Sequence, residues 1–106
     1  MATKAILKAR RPRLTVVVPV HDAEASLEPL WSGLRDVLGA GFEAVFVDDG
    51  SRDRSWDVLL RLRRRFPRQV RAVRLSRNFG QHNATLCGLG YARAPYIVTM
   101  DDDLQH

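Results

Sequence analysis

A chain of 106 residues has room for one domain and a thin core, because a small body has a high surface-to-volume ratio. Its 45% hydrophobic and 27% charged residues exclude a disordered chain, and no run of about 18 apolar residues is present to span a bilayer as a helix. The formal net charge of +5 favours anionic partners (nucleotides, phospholipid surfaces or nucleic acid), while a lone cysteine, Cys87, excludes an internal disulfide and fits a reducing compartment. The expected location is therefore cytoplasmic, with the cytoplasmic face of a membrane as one place within it.

Residues 1–13 are basic with no long apolar segment behind them, and read as a flexible tail, not a signal peptide. Residues 14–20, LTVVVPV, form a β-branched run suited to a buried parallel strand, with Pro19 near its end where a missing N–H costs least. Leu27, Leu30, Trp31, Leu34 and Leu38 then recur at helical spacing. Pro29 falls in the first turn or so, and Gly39 and Gly41 stop the helix. A second strand is predicted over 43–48. The following helix carries Trp56, Leu59, Leu60 and Phe66, is capped by Ser51 or Asp53, and ends before Pro67. A third strand covers 70–75. Asn78 and Gln81 have the spacing of a capping box for a helix running to about Ala92. That helix contains Ala84, Gly88, Gly90 and Ala92, small enough to let it lie close to a sheet, and Cys87 reads as a packing residue. A fourth strand, 96–100, runs directly into Asp101-Asp102-Asp103. Strict alternation of strand and helix implies right-handed crossovers and an α/β, Rossmann-like, mostly parallel sheet.

Ligands of such sheets bind outside the carboxyl ends of the strands. Polar residues gather there: His21 and Asp22, Asp48 and Asp49, Arg77 and Asn78, then the three aspartates. Turn formation and capping account for Asp48 and Ser51, but less easily for three adjacent carboxylates in a basic protein. Clustered carboxylates repel unless a cation neutralises them, and hard oxygen donors suit Mg²⁺ or Mn²⁺. Asp101 and Asp103, spaced Asp-x-Asp at a bend, are the candidate ligands of an ion that clamps a diphosphate. Nothing in the sequence matches a Gly-x-Gly-x-x-Gly turn, a phosphate loop, a zinc ligand set or a Gly-x-Ser-x-Gly elbow.

Four segments in order carry a resemblance: Val16-Val17-Val18-Pro19-Val20, Val47-Asp48-Asp49-Gly50-Ser51-Arg52-Asp53, Arg77-Asn78-Phe79-Gly80-Gln81-His82, and Thr99-Met100-Asp101-Asp102-Asp103-Leu104-Gln105-His106. Together they resemble family 2 glycosyltransferases of GT-A fold. The nearest subgroup is the polyprenyl-phosphate glycosyltransferases, such as dolichyl-phosphate mannose synthase. The resemblance covers residues 14–106 and implies the nucleotide-sugar-binding half of the fold. It implies that Pro19 and His21 line the base and ribose pocket, that Asp49 hydrogen-bonds the base with Asp48 nearby, and that Asp101 and Asp103 hold the ion and diphosphate. It also implies that Gln105 joins the metal shell and that Arg77 meets anionic groups. The implied donor is a nucleotide-diphospho-sugar, and the implied acceptor a polyprenyl phosphate.

The sequence departs from the family pattern at His21-Asp22-Ala23, where Tyr-Asn-Glu is usual, so Glu24 is expected to stand in for the displaced carboxylate. The middle residue of the Asp-x-Asp motif is Asp102, counted with the nucleotide-sugar-binding residues and equally open to pointing into solvent. The acceptor half and the catalytic carboxylate are expected beyond His106, so residues 1–106 alone are expected to transfer little or no sugar.

Two other readings stand beside this one. Arg61, Arg63, Arg64, Arg65, Arg68, Arg71 and Arg74 form a basic stretch suited to a solvated face, to anionic lipid or, less favoured, to nucleic acid, as in a non-catalytic binding module. A receiver-like phosphoacceptor also ends strands in acidic pairs, but its later lysine has no place here.

Overall fold

The computed structural model describes residues 12–102. Of the tail read over residues 1–13, residues 1–11 lie outside the described residues, as do Asp103 and Gln105 of the metal reading, while Arg13 N–H donates to the Gly41 carbonyl (2.9 Å). The elements in chain order are β1 (Leu14–Val20), α1 (Leu27–Leu38), β2 (Phe42–Asp48), α2 (Ser55–Arg65), β3 (Val70–Arg74), α3 (Gln81–Leu89) and β4 (Tyr96–Thr99). They build one four-stranded sheet in the order β3-β2-β1-β4, and every pairing is parallel. The fold is thus the α/β, Rossmann-like arrangement that the alternation predicts.

The near-continuous burial of β1 and β2 is explained by cover on both faces of the sheet. Side chains alternate along a strand, so each run divides by parity. Val16, Val18 and Val20 of β1 join Phe42, Ala44 and Phe46 of β2 beneath α1 and α2, against Leu27, Leu30, Trp31, Val58, Leu59 and Leu62. Val17, Val45 and Val47 face the other way and meet Ala84 of α3. Trp31 sits at the centre of the larger cluster, with its ring 5.4 Å from Phe42, 6.3 Å from Phe46 and 5.2 Å from Phe66. Each fully buried side chain of this kind contributes roughly 1.5–3 kcal/mol over its exposed state.

The small residues of α3 act as their pattern suggests. A Cβ on Gly88 would stand 2.5 Å from Val17 Cγ1 and 3.1 Å from Val47 Cγ2, so the helix approaches the sheet only because that atom is missing. Cys87 packs beside this second cluster.

Some local expectations are corrected. Ser51 does not cap α2; its hydroxyl accepts from the backbone N–H of Asp22 (3.0 Å). The cap position is Arg54, which makes no side-chain cap bond; Asp53, one residue earlier, accepts from Ser55 N–H (2.9 Å) and from the Ser55 hydroxyl (2.6 Å). The capping box of Asn78 and Gln81 is not formed. Asn78 Oδ1 accepts from Gly80 N–H (2.9 Å), and Gln81 Nε2 donates to Asp101 Oδ1 (2.8 Å). The α3 helix ends at Leu89, short of Ala92, and β4 ends at Thr99. β4 is also exposed along its whole length, unlike β1, because it borders the sheet and pairs only with β1 among the described residues.

At the amino end of the sheet a buried carboxylate fastens the approach to β4. Glu43 Oε2 accepts from the Thr15 hydroxyl (2.6 Å) and from Arg93 N–H (2.8 Å), and Oε1 accepts from Arg93 Nε (3.0 Å). Thr15 Oγ1 in turn accepts from Ala94 N–H (3.2 Å). Burial pushes the Glu43 carboxyl up, but the bonds from Thr15 and Arg93 and the guanidinium charge together outweigh it and hold the group below its ordinary value.

The strand order creates the site. The chain steps from β1 to β2 to β3, then crosses back with α3 to set β4 on the far edge of β1. The carboxyl end of β1 is therefore flanked by the ends of β2 and β4, the switch point where open parallel sheets bind ligands. No helix among the described residues is long and apolar enough to cross a membrane.

Candidate functional site

A cleft of about 360 Å³ opens at this switch point, lined by Pro19, Val20 and His21 after β1, Asp49 after β2, Asn78, Gly80 and Gln81 after β3, and Asp101 and Asp102 after β4. All four strands contribute, which is what a carboxyl-end site in this topology requires.

The floor is a set of loops stitched together by side chains. Asp22 adopts a left-handed backbone (φ 48), a conformation that aspartate tolerates better than most residues. Its carboxylate Oδ1 accepts from the N–H of Arg52 (2.7 Å) and of Asp53 (3.4 Å). In return, the N–H groups of Asp22, Ala23 and Glu24 donate to Ser51 Oγ, Ser55 Oγ and Asp53 Oδ2 at 3.0, 2.8 and 3.1 Å. The loops after β1 and β2 are thus one rigid unit. Asp53 serves both; burial raises its carboxyl, but the hydrogen bonds from Ser55 and Glu24 hold it below its ordinary value.

Asp49 is buried and reaches the next loop. Its Oδ1 accepts from Phe79 N–H (2.7 Å) and its Oδ2 from Gly80 N–H (3.0 Å). Each oxygen keeps a further lone pair, so the carboxylate is fixed in place and still able to accept from a ligand. Its backbone carbonyl lies 3.0 Å from His21 Nδ1. A carbonyl only accepts, so Nδ1 carries the proton. His21 Nε2 faces Asn78 Nδ2 at 3.5 Å and Asp22 Oδ2 at 3.4 Å.

Asp101 is exposed, with Oδ1 receiving the Gln81 amide. Asp102 closes the cleft on the β1 side. Its Oδ2 accepts from His21 N–H (2.9 Å), and its carbonyl accepts from the Ser26 hydroxyl (2.7 Å). The expectation that Asp102 points into solvent is therefore replaced by a contact across the cleft mouth.

Asp48, Glu24 and Arg77 stand apart from this cleft. Asp48 is fully buried beneath the turn, accepting from Ser51 N–H (3.2 Å), with Arg74 Nε 3.6 Å from Oδ2. Glu24 is exposed beside the stitched loops. Arg77 lies over the Phe79 ring (4.6 Å) and lines a second recess of about 360 Å³ with His21, Asp22, Gly50, Arg52 and Asn78. His21 and Asn78 border both spaces.

Sequence reasoning set Asn78 among the strand-end polar residues without giving it a role, and passed over Gly80 and Gln81 as cleft residues, because the Asn78–Gln81 spacing is equally that of a helix cap. The position of Gly80 and Gln81 after β3 was the signal that could have found them.

Hard oxygen donors dominate the cleft, a chemistry that fits Mg²⁺ or Mn²⁺. Among the described residues no three His, Cys, Asp or Glu side chains converge to hold an ion by themselves. An ion that takes most of its shell from water and phosphate needs no such trio.

The fold and the cleft define a nucleotide-binding half of the GT-A kind, a parallel α/β sheet with an acidic carboxyl-end site. The sequence pattern of Glycosyl transferase family 2 matches residues 15–106, and the chain belongs to that family. It is 45% identical over 96 residues to an undecaprenyl-phosphate 4-deoxy-4-formamido-L-arabinose transferase of Pseudomonas aeruginosa, covering 88% of this chain and 28% of the relative. A protein of the same description from Shewanella sediminis is 38% identical over 96 residues, covering 88% of this chain and 29% of the relative. Among solved structures, the mannosyltransferase PcManGT from Pyrobaculum calidifontis, in complex with GDP-Man and Mn²⁺, superposes with a TM-score of 0.77 at 26% identity, covering 90% of this chain and 28% of that one. TarS of S. aureus in complex with UDP shares the fold, with a TM-score of 0.75 at 24% identity over 86% of this chain and 27% of that one. The chain thus spans less than a third of the curated relatives it matches.

Proposed function

We propose that the cleft binds the nucleoside diphosphate of a nucleotide-sugar, and that the chain serves as the donor side of a transferase delivering the sugar to a polyprenyl phosphate. The observation that carries this reading is the meeting of Asp49, Asp101 and Asp102 around one cleft at the switch point of a family 2 chain. The relatives' undecaprenyl-phosphate specificity supports the lipid acceptor.

In this reading Pro19 and the His21 ring form the wall for base and ribose. Asp49, held by two backbone N–H groups, accepts from the base, while buried Asp48 shapes the turn that presents it. Asp101 binds the divalent ion, oriented by Gln81, and Asp103 and Gln105 complete the protein's share of the shell. The ion, Mg²⁺ or Mn²⁺, supplies positive charge against the departing diphosphate. Asp102 holds the mouth closed against His21 and so fixes the distance between base and diphosphate subsites. Arg77 stands ready for an anionic group entering the second recess, and Glu24 acts on the donor site only through the stitched loops. The residue that activates the acceptor is not assigned among these groups.

A thermal melt tests the reading. With Mn²⁺ present, either UDP or GDP is expected to raise the melting temperature, by an amount worth about 2.7 kcal/mol at a hundredfold excess over Kd. Asp101→Asn, or withdrawal of Mn²⁺, is expected to abolish the shift. A cooperative melt that no nucleotide moves would refute donor binding by this chain, and a shift indifferent to Mn²⁺ and to Asp101 would refute the metal assignment.

A further inference from the structure

We propose that the outward face of α2 and the β3 edge of the sheet form a docking surface for an anionic phospholipid bilayer. The inference rests on the reading above, since a polyprenyl-phosphate acceptor resides in such a bilayer.

The charge is segregated along the chain. Between Asp57 and Asp101 there is no acidic residue, and that stretch holds nine of the seventeen Lys and Arg residues. Folding concentrates several of them on one side. The core stripe of α2 is Ser55, Val58, Leu59 and Leu62. Helical periodicity then places Arg61 and Arg64 on the opposite face, continued by Arg68 in the turn beyond. β3 is the sheet edge next to them, and Arg71 and Arg74 rim it on its two faces.

The arginines divide into two groups. Arg65 pairs with Glu28 (3.1 Å) and lies over Phe66 (5.3 Å), Arg71 lies over Tyr91 (5.9 Å), and Arg74 lies over Trp56 (5.4 Å). These contribute packing and ion pairing to the fold. Arg61, Arg63, Arg64 and Arg68 are exposed and make no ion pair, hydrogen bond or ring stack among the described residues. The helix dipole favours basic groups in the last turn, which accounts for Arg63 and Arg64. It does not account for Arg61, or for Arg68 past the helix end. Asp57, one turn before Arg61, is the single acidic residue of this helix, so the crowded arginines leave a net positive face that an external anion would stabilise.

A bilayer fits better than nucleic acid. Single-stranded nucleic acids use free aromatic platforms for their bases. Here Phe66 lies beneath Arg35 and Arg65, and Trp56 beneath Arg74, so neither ring is open to stack. What remains is a set of guanidinium groups on a helix face and strand edge, suited to a plane of phosphates.

Co-sedimentation with vesicles tests the proposal. The 106-residue chain is expected to bind phosphatidylcholine vesicles containing about one-third phosphatidylglycerol, to ignore pure phosphatidylcholine, and to release as salt rises. Arg61→Gln/Arg64→Gln/Arg68→Gln is expected to weaken binding about fivefold per arginine, on the order of a hundredfold in all. The matching triple Lys variant is expected to retain binding. Both variants should keep the parental melt and its nucleotide shift, since none of these residues borders the cleft. Failure of the parent to bind, salt-insensitive binding, parental binding by the Gln variant, or tighter binding to a single-stranded RNA in the same buffer would each overturn the proposal. A nucleotide shift that survives such a failure leaves the donor-site reading standing.

Discussion

Gly50→Ala is expected to destabilise the chain by about 3 kcal/mol and to abolish the nucleotide-dependent rise in melting temperature. Two costs coincide at this position. Gly50 has φ 69, in the left-handed region that charges an L-residue roughly 1–2 kcal/mol. An added Cβ would also collide with backbone atoms, the amide nitrogen of Asn78 and the carbonyl carbon of Arg77. A flexible side chain could swing away from such a collision, but backbone cannot move unless the whole turn moves. That turn is the one Asp49 clamps through Phe79 and Gly80, and it forms one wall of the cleft. Stability and binding should therefore fail together. Urea unfolding gives the first and the Mn²⁺-nucleotide melt the second. Parental values in both would refute the role assigned to this contact.

Glu43→Ala is expected to cost about 3 kcal/mol although it lies at the opposite end of the sheet from the site. The truncation strips the Thr15 hydroxyl, Arg93 N–H and Arg93 Nε of their shared acceptor. For a domain of this size that loss lowers the melting temperature by roughly 15 °C. The carboxyl also sets a pH dependence. Its native value is lowered from 4.5, so the unfolded chain takes up the proton first as pH falls. The stabilisation is fully present above pH 4.5 and is lost as pH drops through the lowered native value. Urea midpoints measured down an acid series should show this fall in the parent and a shallower one in Glu43→Gln. Equal slopes would remove Glu43 as the cause.

Much of the fold is legible in the sequence because it is written in local periodicity. The β-branched run from Val16 to Val20 announces a doubly covered strand, and the stripe from Leu27 to Leu38 announces α1. The site's location is legible too, since polar residues at strand ends in an alternating α/β chain converge by topology. What escapes the sequence is written between distant residues. Nothing near Glu43 foretells Arg93, fifty positions away. Ser51 and Asp22 both look like ordinary turn formers, yet they bond each other across two loops. Gln81 has the spacing of a cap, but the nearby carboxylate of Asp101 competes for its amide and wins. The exposure of β4 escapes as well, because Tyr96-Ile97-Val98 is as apolar as any buried strand.

That edge position has a consequence for the dynamics of the site. Cooperative opening of a sheet begins where backbone amides are least protected, and among the described residues β4 is held by one neighbour while β1 is held by two. Asp101 stands two residues past the end of this lightly anchored strand, whereas Asp49 belongs to the stitched and buried loops. In terms of amide exchange, the two sides of the cleft are expected to sit on different foldons, the β4 side opening by local fraying and the Asp49 side with the whole domain. A ligand that spans both is expected to slow exchange at β4 towards that of the whole domain, with part of its binding free energy offset by the ordering of that strand.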